Sequence, residues 1–248
     1  MKGVVLAGGT GSRLRPITFS MAKQLVPVAN KPILFYGLED LAEAGIEEVG
    51  IIIAPQTGDE IRRTVGNGDR FGLRIEYIVQ DEPLGLAHAL KTALPFVDGD
   101  DVLMYLGDNL VKQGVADVVR DFKSDRPNCQ ILLTKVDDPS QFGVAELGAA
   151  GEVVRLVEKP SSPRSDLALV GVYLFDNSVV EAVNSIQPSA RGELEITDAI
   201  QYLVTSGRDV RPSLVTGGWK DTGKKEDLLH ANELVLSDLV EDIQSEVI

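Results

Sequence analysis

Short apolar runs alternate with amphipathic stretches along the first half of the chain. Val4–Ala7, Val49–Ala54, Leu73–Val79, Asp101–Leu106 and Ile131–Val136 are rich in aliphatic and β-branched residues and read as strands of a largely buried sheet. Between the first two, Pro32 opens a helix that runs to Ala44 and stops at Gly45. A proline costs nothing in a first helical turn, and a glycine accepts the left-handed cap. The clearest helix carries Leu86, Ala89, Leu90, Ala93 and Leu94 at i, i+3, i+4, i+7 and i+8, with His88 and Lys91 off the apolar stripe. A further helix starts near Val115. Strand–helix–strand order predicts a mainly parallel sheet with helices on both faces and the strand C-termini along one edge.

The second half has a different rhythm. Phe142–Glu146, Glu152–Glu158 and Leu167–Phe175 read as strands joined by turns, followed by helices over 178–185 and 194–206 and a strand over Val210–Val215. Thr222 is placed to cap a last helix that shows Leu228, Ala231 and Val235 on one face. No repeat or linker interrupts the pattern. The expected fold is a single-domain, Rossmann-like three-layer α/β sandwich around a mainly parallel mixed sheet, with a smaller β subregion in the second half. Residues 1–239 form the domain, and 240–248 form a tail.

Composition narrows the partners. The 248 residues carry a net charge of −14, which disfavours nucleic acid and anionic membranes because their phosphates would be repelled. Cys129 is the only cysteine, and His88 and His230 are the only histidines, so neither a disulfide framework nor a structural zinc site is expected. Surface or capping roles are expected for both histidines. No apolar stretch approaches the roughly 20 residues of a membrane span, and the reading is a cytoplasmic protein.

The candidate chemistry begins at the end of the first strand, in Leu6-Ala7-Gly8-Gly9-Thr10-Gly11-Ser12-Arg13, with Arg15 and Lys23 close behind. Glycines let backbone N–H groups approach a ligand closely, and the cations supply fixed positive charge, so the stretch suits a polyphosphate. It lacks the Gly-Lys-Ser/Thr of a P-loop. It also lacks the third glycine and the ribose-binding acid of the dinucleotide fingerprint. A plain strand-to-helix turn with solvated cations is the simpler alternative. Asp108 in Leu106-Gly107-Asp108-Asn109 and Asp221 in Trp219-Lys220-Asp221-Thr222-Gly223 each follow a strand. Magnesium takes one or two carboxylates plus substrate phosphates, although aspartates also cap turns without further function. Glu158-Lys159-Pro160 and Arg191-Gly192-Glu193 add two carboxylates and two cations at element ends. Gln80, in Gln80-Asp81-Glu82-Pro83-Leu84-Gly85, offers a donor and an acceptor that can match a pyrimidine imide.

These segments, in this order and with Lys23-Gln24-Leu25-Val26-Pro27 and Arg191-Gly192-Glu193-Leu194-Glu195-Ile196-Thr197-Asp198, resemble the sugar-1-phosphate nucleotidyltransferases over nearly the whole chain. The resemblance implies an enzyme of nucleotide-sugar and polysaccharide biosynthesis that joins a nucleoside triphosphate to a sugar 1-phosphate with Mg²⁺ and releases pyrophosphate. The pair it implies is dTTP and glucose 1-phosphate, giving dTDP-glucose. A UTP-dependent uridylyltransferase and a non-catalytic nucleotide-sugar regulator stay open. By the same resemblance, Arg13, Lys23, Asp108, Lys159 and Asp221 are the catalytic residues, with Asp108 and Asp221 holding the metal. Leu6, Ala7, Gly8, Gly9, Thr10, Gly11, Arg13, Gln80, Pro83, Gly85 and Asp108 hold the nucleotide. Asn109, Gly143, Glu158, Lys159, Val170 and Arg191 line the sugar-phosphate site in the β subregion. Relatives with such motifs often continue into a left-handed β-helix domain, whose start the tail 240–248 would be, and a homo-oligomer is implied.

Overall fold

The structure, a computed structural model, describes residues 1–237; the expected tail lies outside the described residues. The sheet strands are β1 (Lys2–Leu6), β4 (Glu48–Ile53), β5 (Arg74–Val79), β6 (Val102–Leu106), β8 (Cys129–Lys135), β9 (Gly143–Leu147), β10 (Val153–Glu158), β11 (Leu167–Phe175) and β12 (Val210–Leu214). Two small ribbons pair β2 (Pro27–Val28) with β3 (Lys31–Pro32), and β7 (Asn109–Val111) with β13 (Trp219–Asp221). The helices are α1 (Ile33–Glu43), α2 (Gly58–Val65), α3 (Leu86–Val97), α4 (Ala116–Asp125), α5 (Val179–Ser185), α6 (Ile196–Thr205) and α7 (Lys225–Leu236).

Strand order in the main sheet is β10-β9-β11-β6-β1-β4-β5, with β8 joining β11 to β12. The β6-β1-β4-β5 block is parallel. β11 runs antiparallel to β6, β8 and β9, so the second half completes a mixed sheet. One face is packed by α3, α5 and α6 around Leu90, Val183 and Ile200. The other is packed by α1, α2 and α4 around Leu38, Ile61 and Phe122. Burial on both faces explains why β1, β4 and β6 are continuous apolar runs in sequence.

Several features depart from expectation. α2 was not foreseen, because its apolar content in Gly-Asp-Glu-Ile-Arg-Arg-Thr-Val is confined to Ile61 and Val65, too little to stand out against the charged residues around it. The β7·β13 ribbon joins segments more than a hundred residues apart, so no local pattern announces it. Thr222 does not cap α7, whose N-cap is Lys224. Instead its Oγ1 and its N–H both donate to the carbonyl of Asp108, at 2.8 and 3.0 Å.

Candidate active site

The parallel strands β1, β4, β5 and β6 end on one edge, and the loops leaving them build the floor of a cleft. At Gly11 the backbone is left-handed (φ 64°), and a Cβ there would lie 2.8 Å from the Lys23 Cβ and 2.9 Å from the Thr18 Cγ2. Both the conformation and the crowding call for glycine. The Thr18 hydroxyl holds this turn by donating to the Gly11 carbonyl at 2.7 Å. At the end of β6, the Gly107 N–H donates to the Leu6 carbonyl at 2.9 Å, and a Cβ on Gly107 would lie 2.9 Å from that same oxygen. The two loops are thereby held side by side, with the glycine cup next to Asp108.

Lys23 crosses between them and bonds the Asp108 carboxylate. Burial penalises both charges, yet each stabilises the other: the Lys23 amine is raised and the Asp108 carboxyl lowered from their ordinary values. Asp221 stands at the end of β13, opposite Asn109 in the ribbon, and accepts from the Gly223 N–H at 2.8 Å. Burial, and then the negative charge of Asp108, push its carboxyl up to about 6, against the pull of Lys23 and Arg13. Arg13 packs beside it, with a guanidinium nitrogen 2.9 Å from where a Cβ on Gly223 would sit.

The Asp108–Asp221 pair passes the test for a hard divalent cation. Its donors are carboxylate oxygens, and one carboxyl is raised by burial and then by the second negative charge beside it. Among the described residues no group of three or more His, Cys, Asp or Glu side chains could enclose a metal. An ion here would therefore be completed by substrate phosphates, which is how Mg²⁺ is usually held.

A second cleft opens across the sheet edge, lined by Asn109, Phe142, Gly143, Tyr173, Thr197 and Trp219. It meets the glycine-loop cleft at residues that line both, among them Arg13, Glu158, Lys159, Asp221 and Gly223. The Trp219 indole donates to Asn109 Oδ1 at 2.6 Å and packs edge-on against Phe142, ring centroids 5.4 Å apart. Glu158 accepts from the Thr197 hydroxyl at 2.6 Å and from Arg191 at 3.1 Å. Arg191 is further tied to Glu195 by bonds of 2.8 Å, and these carboxylates raise its basicity despite partial burial. Lys159 is less committed, 3.7 Å from Glu158. Its backbone is left-handed (φ 41°), a conformation that costs a residue with a Cβ about 1–3 kcal/mol and clusters at functional sites.

Gln80, Pro83 and Gly85 line the glycine-loop cleft from the far side. Their loop is sewn to the Arg191–Asp198 segment by two backbone bonds. The Leu194 N–H donates to Leu84 O at 2.7 Å, and the Ala87 N–H donates to Leu194 O at 3.0 Å.

The structure thus gathers most of the residues named from sequence. Leu6, Gly8, Gly9, Thr10, Gly11, Lys23 and Asp108 line the first cleft, as does Arg191. Two side chains stand apart. Ala7 is fully buried, and its N–H is used by the Ile52 carbonyl at 2.8 Å. Val170 packs in the core with Val172 and Leu174, while Leu169, Gly171 and Tyr173 face the second cleft. Successive strand residues point to opposite faces, so Val170 can meet a ligand only through its backbone. Sequence reasoning assigned no role to Gln24, Thr197, Trp219 or Tyr173. Gln24 is 1% exposed, and its Oε1 has no hydrogen-bond partner. A buried, unpaired amide oxygen in the wall of a cleft is the signal that finds it, and only the folded structure carries that signal.

The profile of the Nucleotidyl transferase family matches residues 2–238. The chain is 58% identical over 236 residues to a glucose-1-phosphate thymidylyltransferase of Streptomyces griseus, covering 95% of this chain and 66% of the relative. It is 56% identical to a glucose-1-phosphate thymidylyltransferase of Streptomyces antibioticus, covering 100% of this chain and 69% of the relative. A low-salt glycan biosynthesis nucleotidyltransferase, Agl11, of Haloferax volcanii is 54% identical, covering 96% and 67%. The chain therefore spans about two thirds of the length of these relatives. A crystal structure of a Bacillus anthracis protein assigned as a glucose-1-phosphate thymidylyltransferase, in complex with a sucrose, superposes with a TM-score of 0.90 at 36% identity, covering 98% of both chains. With its strand-edge double cleft, its paired aspartates and these likenesses, the chain belongs to the nucleotidyl transferase family, in the group that holds the glucose-1-phosphate thymidylyltransferases.

Proposed function

We propose that residues 1–239 form a catalytic domain that joins dTTP to glucose 1-phosphate, giving dTDP-glucose and pyrophosphate, in the cytoplasm where nucleoside triphosphates are kept. The observation that carries this reading is the meeting of two clefts at Arg13, Lys159 and Asp221. A triphosphate on the glycine loop and a sugar phosphate over Trp219 and Tyr173 would bring their phosphates together at those residues. The names of the relatives supply the nucleotide and the sugar.

An oxygen of the sugar phosphate attacks the α-phosphorus of the triphosphate, and the bond to the departing pyrophosphate breaks. The attacking phosphate is anionic at neutral pH, so this step needs no strong base. Repulsion between two anions is the obstacle, and positioning and charge neutralisation overcome it. Arg13 and Lys23 hold the triphosphate oxygens, and Arg13 also steadies charge that grows on the leaving group. Lys159 and Arg191 hold the sugar phosphate, while Glu158, fixed by Thr197 and Arg191, accepts from sugar hydroxyls. The buried Gln24 oxygen is free to accept from a nucleotide hydroxyl. Nucleotidyl transferases generally use a divalent metal, and here Asp108 and Asp221 would hold Mg²⁺, which supplies further neutralisation of the phosphates.

The test is a matrix of dTTP, UTP, dCTP, ATP and GTP against several sugar 1-phosphates, read as pyrophosphate release with Mg²⁺ and after chelation. dTTP with glucose 1-phosphate is expected to be the fastest pair and to need the metal. A UTP preference replaces the nucleotide, and no release in any well refutes the enzyme.

A further inference from the structure

Gln80 lines the glycine-loop cleft, and behind it, off the cleft surface, stands His88 on the first turn of α3. Helical periodicity puts His88 outside the apolar stripe of α3, which suggests a surface residue, but it is half-buried and bonded. The Gln80 amide nitrogen lies 2.9 Å from His88 Nδ1 and 3.3 Å from the carbonyl oxygen of Gly85. That carbonyl can only accept, so the end of the carboxamide facing it is the NH₂. The same nitrogen then gives its second hydrogen to His88 Nδ1, which must carry a lone pair, leaving the imidazole proton on Nε2. Both donors of Gln80 are consumed inside the protein. The single polar atom it has left for a ligand is Oε1.

We propose that His88 is a positioning residue for nucleobase selection, holding the Gln80 carboxamide so that it presents an acceptor alone. This rests on the nucleotidyl transfer reading above and sharpens it. A carboxamide free to rotate could show either its oxygen or its NH₂ to a base and would accept any pyrimidine. A fixed oxygen matches the imide N–H of thymine or uracil and opposes the bare ring nitrogen of cytosine, which also offers a lone pair. The bond to Gly85 is the longer of the two and shares its oxygen with the Ala89 N–H at 3.1 Å, so His88 is the stronger half of the clamp.

The experiment separates an acceptor at the δ position from the mere bulk of a ring. His88→Asn places an oxygen near the site of Nδ1, and His88→Phe keeps the ring without the acceptor. kcat and KM are measured for dTTP and dCTP with glucose 1-phosphate, and dTDP and dCDP binding is measured by calorimetry. For His88→Phe we expect KM for dTTP to rise about tenfold and the preference for thymine over cytosine to fall about tenfold, the scale of one lost hydrogen bond. kcat at saturating dTTP should stay within about twofold, because the phosphate-binding groups are untouched. His88→Asn should keep both quantities within about threefold of wild type. Wild-type behaviour of His88→Phe overturns the proposal, and so does failure of His88→Asn alongside it. If His88→Phe does not fold, as judged by circular dichroism, His88→Leu repeats the measurement. Should the wild type turn over none of the nucleotides, the catalytic reading falls, and the dTDP to dCDP affinity ratio across the variants still decides the role of His88.

Discussion

Replacing Asp40 with asparagine should make the protein more stable in mild alkali while leaving it nearly unchanged in acid. Asp40 lies on α1, where its Oδ2 accepts from the hydroxyl of the fully buried Tyr105 at 2.9 Å. Burial raises its carboxyl from 3.8 to about 7; the Tyr105 bond resists this, Glu43 and Glu39 add to it, and Lys31 subtracts. A rise of that size corresponds to about 4 kcal/mol, at about 1.4 kcal/mol per pKa unit. The carboxyl keeps some contact with water, so about 2 kcal/mol is the working figure. The folded-state value lies above the unfolded one. The stabilisation is therefore fully present below about pH 4 and is lost as the pH rises through 7. Asparagine retains an acceptor for Tyr105 and has no charge to bury. Urea unfolding of both proteins across about pH 4.5–8 isolates the group, because every other titration cancels in the difference. The gap should widen in favour of Asp40→Asn by about 2 kcal/mol between those limits, or about 4–8 °C in Tm for a chain of this size. Parallel curves, or a variant less stable at pH 8, would refute the reasoning.

Arg13→Ala should lower kcat by on the order of 10²–10³, the usual loss of a transition-state donor; a change below about threefold in steady-state kinetics would remove Arg13 from the chemistry. Asp221→Asn should abolish metal-dependent turnover while Tm at pH 8 holds or rises, since it removes a charge that burial and Asp108 already disfavour. A falling Tm would instead make that carboxyl structural. Val170→Ala should cost about 2 kcal/mol in urea unfolding through lost core contact, with KM for glucose 1-phosphate within about twofold. A large KM change would put the Val170 side chain at the ligand after all.

The sequence by itself determined the alternation of strands and helices, because burial on both faces of a sheet writes continuous apolar runs and amphipathic helices into the chain. It also determined the glycine cup, since left-handed turns and close loop contacts admit no other residue at Gly11 and Gly107. The order of its motifs resembled the family to which the profile assigns it. Pairing across long separations was decided only in three dimensions. The β7·β13 ribbon sets Asp221 opposite Asn109, and Thr222 ties it to the Asp108 turn. Both depend on register, which leaves no periodic trace. The facing of Val170 was hidden as well, because β11 is apolar on both sides and its alternation carries no polarity to read. Partners were the last thing withheld: the unpaired oxygen of Gln24 and the bond from Gln80 to His88 are facts about distance. A helical wheel places His88 off the core stripe without saying what it touches, and only the fold brings it to Gln80.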